Sequence, residues 1–214
     1  MPPSDATVLF IAPTNPRTTF SRSSSIPRRG TSSMLIMPVF QASMKPMKEV
    51  ALLLQDMVSA GVISSYAVFG AVAQMRYTEA VVTEDADVLV ELPGVHGLDV
   101  LAPIYSYCRS RGLSAQGQWI RVGGWPVQFI PPYSRITEAA LREAVVEDFE
   151  GVPLRVVRAD YLAMIALDTG RTKDFDRIIR MMDAGAIGLE GLQQLAERNG
   201  LSAKLKAFRS RYRK

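Results

Sequence analysis

The sequence predicts an α/β (α+β) fold, a mixed sheet flanked by helices with a helical C-terminal portion, and three observations carry that reading. Short apolar runs closed by glycine alternate with segments of helical period through the first two thirds of the chain. The pair Gly123-Gly124 between two apolar runs marks a hairpin inside that part. The last third shows helical periods and no strand pattern.

The elements follow in order. Val50, Leu53, Leu54, Met57 and Val58 recur at helical spacing and Gly61 supplies a stop, so a helix is expected over 46–60. Tyr66-Ala67-Val68-Phe69 reads as a short buried strand ending at Gly70, with a helix over 71–78 behind it. A second strand runs from Ala86 to Leu92 and is closed by Pro93-Gly94, and Leu98 to Arg111 reads as a helix ending at Gly112. The hairpin pairs Gln118–Val122 with Pro126–Ile130. A helix over 137–145 and a strand pair around 146–157, turning near Gly151, complete the α/β part. Helices are expected at about 159–168, 173–184, 189–198 and 202–211. The domain organisation expected is therefore a disordered N-terminal extension over 1–44, an α/β domain over 45–158 and a helical region with a basic tail over 159–214.

The extension is read from residues 1–33, which are rich in Pro, Ser, Thr and Arg and cannot bury enough surface to offset chain entropy. Its composition is that of a transit peptide, but its prolines interrupt any Arg-bearing amphipathic helix, and it has no secretory core. An over-long start, with Met34, Met37, Met44 or Met47 as the first residue, fits better. No apolar run approaches the roughly 18 residues that span a bilayer, so a cytoplasmic protein with no membrane partner is expected.

Composition excludes several chemistries. One cysteine, Cys108, precludes a disulfide framework, and with one histidine, His96, it precludes zinc sites built from Cys and His clusters. A triad or a Cys-His pair would have to use His96, in Pro93-Gly94-Val95-His96-Gly97. The net charge of +4 is concentrated at the ends: residues 1–33 carry +3 and 204–214 carry +6, which leaves 34–203 at −5. The basic tail, with Lys204, Lys206, Arg209, Arg211 and Arg213, is either a docked helix whose cations suit the macrodipole or a handle for a phosphate backbone such as tRNA. Trp119 and Trp125 flank the hairpin, with Tyr105, Tyr107 and Tyr133 as further aromatics for core packing or for stacking a base.

The most informative segment is Phe69-Gly70-Ala71-Val72-Ala73, followed after a gap by Thr83-Glu84-Asp85-Ala86-Asp87. Residues two apart on a strand share a face, so Asp85 and Asp87 present two carboxylates side by side. Such a pair is costly without a cation between its members, and Mg²⁺ suits it because it takes one or two carboxylates plus substrate phosphates. Gly70 permits a tight strand-to-helix turn whose backbone N–H groups can hold a phosphate. A phosphate turn beside a metal pair is what nucleotidyl transfer needs.

With 13 residues between Ala71 and Asp85, these segments resemble the first motif of the nucleotidyltransferase superfamily, the polymerase-beta-like fold, and most of all its bacterial AbiEii-type toxins and related small nucleotidyltransferases. The resemblance covers roughly 48–184 and includes Thr83 two residues before the first aspartate and the later run Gly170-Arg171-Thr172-Lys173-Asp174. It implies metal at Asp85 and Asp87, nucleotide phosphates at Gly70 and Ala71, and triphosphate neutralised by Arg171 and Lys173. An NTP, an RNA such as tRNA, or a cognate antitoxin are the partners it implies. The residues themselves leave open that Arg171 and Lys173 are a solvated face at a helix start. Three departures weaken the expected activity: Ala71 lacks a hydroxyl, the third carboxylate position falls at Gln128, and an expected lysine is replaced near Ala166. Gln128 is a poorer Mg²⁺ ligand and cannot act as a general base. A fold that has lost catalysis and binds a nucleotide or a partner is the second reading.

Overall fold

The structure is a computed structural model, and it describes residues 37–79, 81, 83–94, 99–149 and 151–212, with side chains from 47 onward. These belong to one compact unit, Leu35–Lys214. Of the expected disordered extension over 1–44, residues 1–36 lie outside the described residues, as does His96, while 37–44 are helical.

Seven strands form one mixed sheet: β1 Ser65–Phe69, β2 Ala86–Glu91, β3 Ala115–Gln116, β4 Trp119–Val122, β5 Trp125–Ile130, β6 Val145–Phe149 and β7 Val152–Val156. Their spatial order is β3-β4-β5-β2-β1-β7-β6. β1 pairs antiparallel with β2, β2 runs parallel to β5, and β1 meets β7 in parallel at Val68 and Val156. The helices are α1 Met37–Ser59, α2 Gly70–Gln74, α3 Ala102–Ser110, α4 Arg135–Arg142, α5 Ala159–Thr169, α6 Thr172–Asp183, α7 Leu189–Arg198 and α8 Ser202–Tyr212.

The alternation of burial along the strands assigns the two faces. Ala86, Val88 and Val90 of β2, Val127 and Phe129 of β5, and Ile120 and Val122 of β4 project to one side and are buried with Leu54 and Met57 of α1 and Ile104 and Cys108 of α3. The opposite face carries Asp87 and Gln128. Helix α4 covers that second face over β1 and β2, and Arg155 of β7 reaches across to donate to the Leu141 carbonyl at 3.0 Å. Helix α5 packs on α4 and is buried along nearly its whole length, Ala166 included. Its run ends at Gly170, whose left-handed φ of 74° lets α6 fold back against α5.

Three expectations are adjusted. The helix placed at 46–60 runs over Met37–Ser59 and carries Pro46 inside it. The helix placed at 71–78 is five residues long, because after Gln74 the chain tightens into turns held by Arg76 N–H to the Ala73 carbonyl and Tyr77 N–H to the Gln74 carbonyl. The two-residue β3 was not anticipated, being too short to show a period. No helix among the described residues is long and apolar enough to cross a membrane.

Candidate active site

The site is organised by a row of residues that the sheet brings into register. Phe69 on β1 is opposite Asp87 on β2, and Asp87 is beside Gln128 on β5. Paired residues on neighbouring strands project to the same face, so the position where a third carboxylate was expected does lie next to the aspartate and holds an amide. Asp85 precedes the same strand by one residue, and the Thr83 hydroxyl donates to its carboxylate at 3.3 Å and contacts its carbonyl at 3.1 Å. Thr83 thus restrains Asp85.

Gly70 follows Phe69 with φ of 69°, and a Cβ built there would sit 2.5 Å from Asp87 Oδ2. Only glycine lets the turn and the carboxylate approach this closely. The turn and the aspartate pair, read from separate stretches of sequence, are therefore one structure.

Burial pushes the Asp87 carboxyl above its ordinary range, and the neighbouring charge of Asp85 pushes it the same way. Arg177 and Lys173 of α6 and Arg171 just before it oppose that shift, which brings the first turns of this helix within electrostatic reach of Asp87. No hydrogen bond from another described residue reaches the Asp87 carboxylate.

Of the α6 cations, Arg177 was not anticipated and is the most enclosed. Its Nε donates to Gln74 Oε1 at 3.0 Å, and its guanidinium lies 3.6 Å from Asp174, tying α6 to the end of α2 behind the Gly70 turn. Asp174 is almost fully buried and also accepts from Arg171 Nε at 2.9 Å and from the Arg171 backbone N–H at 3.3 Å. Arg171 therefore spends part of its donor set closing the start of α6, while Lys173 is exposed. Tyr133, 60% exposed after β5, feels the charges of Asp168, Arg171, Asp174 and Asp87, which puts it at the rim of the same site.

Other candidates fall elsewhere. Trp125 is buried and Trp119 exposed, so the two tryptophans divide between core and surface. Cys108 is a buried thiol pushed up to about 11 by desolvation. Lys204 donates to the Asp168 carboxylate and carbonyl, both at 2.6 Å, and α8 is docked by the rings of Phe175, Phe208 and Tyr212, whose centroids are 5.1–5.6 Å apart. Lys206, Arg209 and Arg211 remain exposed, and Arg213 lies outside the described residues. A cavity of about 560 Å³ between β6, α5 and α7, lined by Tyr77, Glu147, Arg158 and Leu192 among others, contains none of the site residues.

Among the described residues no three His, Cys, Asp or Glu side chains cluster as a metal site, so a cation would rely on the two aspartates, the Gln128 amide oxygen and ligands from substrate. That donor set is all oxygen, as a hard divalent cation requires. The unpartnered Asp87 carboxylate beside Asp85 fits such a cation.

No protein-family model matches the chain, and no curated protein matches it. Among solved structures it is similar to a nucleotidyltransferase-like antigenic protein from Paracoccidioides brasiliensis, at 15% identity and a TM-score of 0.48 over 76% of this chain and 93% of that one. It is also similar to the antibiotic-resistance factor ANT(2'')-Ia in solution, at 15% identity and a TM-score of 0.47 over 79% of this chain and 95% of that one. The crystal structure of ANT(2'')-Ia with adenylyl-2''-tobramycin aligns at 13% identity and a TM-score of 0.41 over 80% of this chain and 99% of that one.

Proposed function

We propose that this protein is a Mg²⁺-dependent nucleotidyltransferase that moves a nucleoside monophosphate from an NTP to a hydroxyl of an RNA, protein or small-molecule acceptor. The observation that carries the reading is the close approach of the Gly70 turn to Asp87, with Arg177 and Lys173 of α6 and the preceding Arg171 within electrostatic reach of the same carboxylate. Asp85 and Asp87 hold the cation, and Thr83 keeps Asp85 in place. The Gly70-Ala71 turn receives the phosphates, while Lys173, Arg177 and Arg171 spread positive charge toward the triphosphate. Bound Mg²⁺ supplies charge neutralisation of the phosphates and lowers the pKa of an attacking oxygen. In the reaction the acceptor oxygen bonds to the α-phosphorus, the bond to the β-phosphate oxygen breaks, pyrophosphate leaves and the hydroxyl proton is released. Gln128 offers no base for that proton, so the rate on an unactivated hydroxyl is limited.

Calorimetry with Mg²⁺ and an NTP tests this reading: D85A/D87A should abolish binding, and equal binding by wild type and double variant rejects it. The register of Gln128 beside Asp87 supports a second reading, a catalytically weakened fold acting as a nucleotide- or partner-binding module, such as the toxin-like half of a cytoplasmic toxin–antitoxin pair. Label transfer from NTP to any acceptor in total RNA or protein rejects that second reading.

A further inference from the structure

The catalytic row does not end at Gln128. In the β4–β5 hairpin Gln128 is opposite Trp119, and in the next pair Trp119 is opposite Gln116, so Asp87, Gln128, Trp119 and Gln116 lie side by side across four strands on one face. Two residues along β4, on the same face, is Arg121. Helix α4 covers this face over β1 and β2, but among the described residues no helix covers it over β3 and β4: Trp119 is 37% exposed, and Gln116 and Arg121 are exposed. A large indole on the open half of a sheet, two strands from the aspartate pair, is an unusual expenditure of apolar surface.

Among the described residues, Arg121 on this platform makes no ion pair. Arg121 donates from Nε to Gln116 Oε1 and from its terminal nitrogen to the Gly124 carbonyl, both at 3.2 Å, and both acceptors are neutral. These bonds hold the guanidinium in place on the face that carries Trp119 without cancelling its charge. A rigid aromatic face, a held cation and two amides are the elements that bind a nucleobase and its phosphate.

We propose that the open face formed by Gln116, Trp119 and Arg121 is the acceptor platform and that it takes a single-stranded nucleic acid, one base stacked on Trp119 and an adjacent phosphate on Arg121, with the strand's terminal hydroxyl directed along the row toward Asp87. This deepens the transferase reading and rests on it for the role of the site, but strand binding itself requires neither NTP nor metal.

The test uses the full-length protein and a fluorescently labelled RNA of about 12 nucleotides, together with the DNA of the same sequence, read by anisotropy without NTP or Mg²⁺. Wild type should bind, W119A should weaken binding about 10-fold or more, and W119F should retain most of it. R121Q should lower the slope of log affinity against log salt by about 0.7, the value of one phosphate contact on a single strand. Emission from the buried Trp125 reports that W119A remains folded. Preference between the RNA and DNA arms identifies the strand. Binding of neither strand by wild type, full binding by W119A, or label transfer to protein or sugar acceptors alone overturns the proposal. Loss of this binding leaves the metal-dependent NTP binding above intact, and failure of NTP binding leaves this result intact.

Discussion

Replacing Gly70 with alanine tests the link between the Gly70 turn and the Asp87 carboxylate directly. Two costs are expected. The first is backbone: an alanine held at a left-handed φ of 69° costs ~1 kcal/mol. The second is contact: the new Cβ would meet Asp87 Oδ2 at 2.5 Å, well inside the 3.4 Å at which ordinary contact begins, and such overpacking costs ~1–3 kcal/mol. Gly61 has the same φ with nothing within 4 Å of its added Cβ, so G61A measures the first cost alone. G70A should therefore be less stable than G61A by ~1–3 kcal/mol, which for a chain of this size is roughly 2–12 °C in Tm. In a D87A background the excess should vanish, giving a coupling of the same size in a double-mutant cycle. If the carboxylate swings away instead, G70A will melt like G61A but lose divalent-cation binding by calorimetry. A G70A protein with the Tm of G61A and wild-type cation affinity refutes the reasoning.

Two further outcomes follow from neighbouring residues. Q128D places a carboxylate in register with Asp87, so the metal-free protein should lose ~1 kcal/mol and Mg²⁺ should raise its Tm more than that of wild type; equal Mg²⁺ shifts would mean that the two positions share no cation. Cys108 has a thiol raised from 9.0 to about 11, so the unfolded chain ionises first as pH rises. Its contribution is complete below pH 9.0 and is lost by about pH 11, at ~1.4 kcal/mol per pH unit. Urea midpoints should fall across that interval in wild type and fall less in C108A, and a thiol reagent at neutral pH should label Cys108 only in unfolding concentrations of urea.

The elements legible in the sequence are those whose side chains settle their own structure. The 2-residue alternation of β5 and the 3.6-residue stripes of α6 to α8 arise from burying one face, so the period can be read without the partner. Gly70 and the Asp85-x-Asp87 pair were legible for a similar reason, since a turn glycine and two carboxylates on one face are local patterns. Arg177 was not, because what distinguishes it from Arg180 three residues later is a hydrogen bond to Gln74, 103 positions away. In the sequence Asp174 is the end of the Gly170–Asp174 run, and its burial depends on two arginines closing over it. The roles of Trp119 and Trp125 also required register: they are six residues apart on the two arms of one hairpin, and only the pairing of β4 with β5 assigns one to the open face and the other to the core.

The parallel contact between Val68 and Val156 sets the order in which the chain can assemble. From β1 to β5 the strands follow within one stretch of chain, and antiparallel neighbours and a hairpin can zip early at small loop-closure cost. β1 waits 88 positions for β7, which brings β6, α5 and the α6 cations with it. Asp85 and Asp87 thus precede in the chain the positive charge that faces them in the folded protein. Until the C-terminal third docks, the exposed edge of β1 is an unpaired strand at the centre of the future sheet, and the interval between the two halves is when this chain is most open to pairing with another copy.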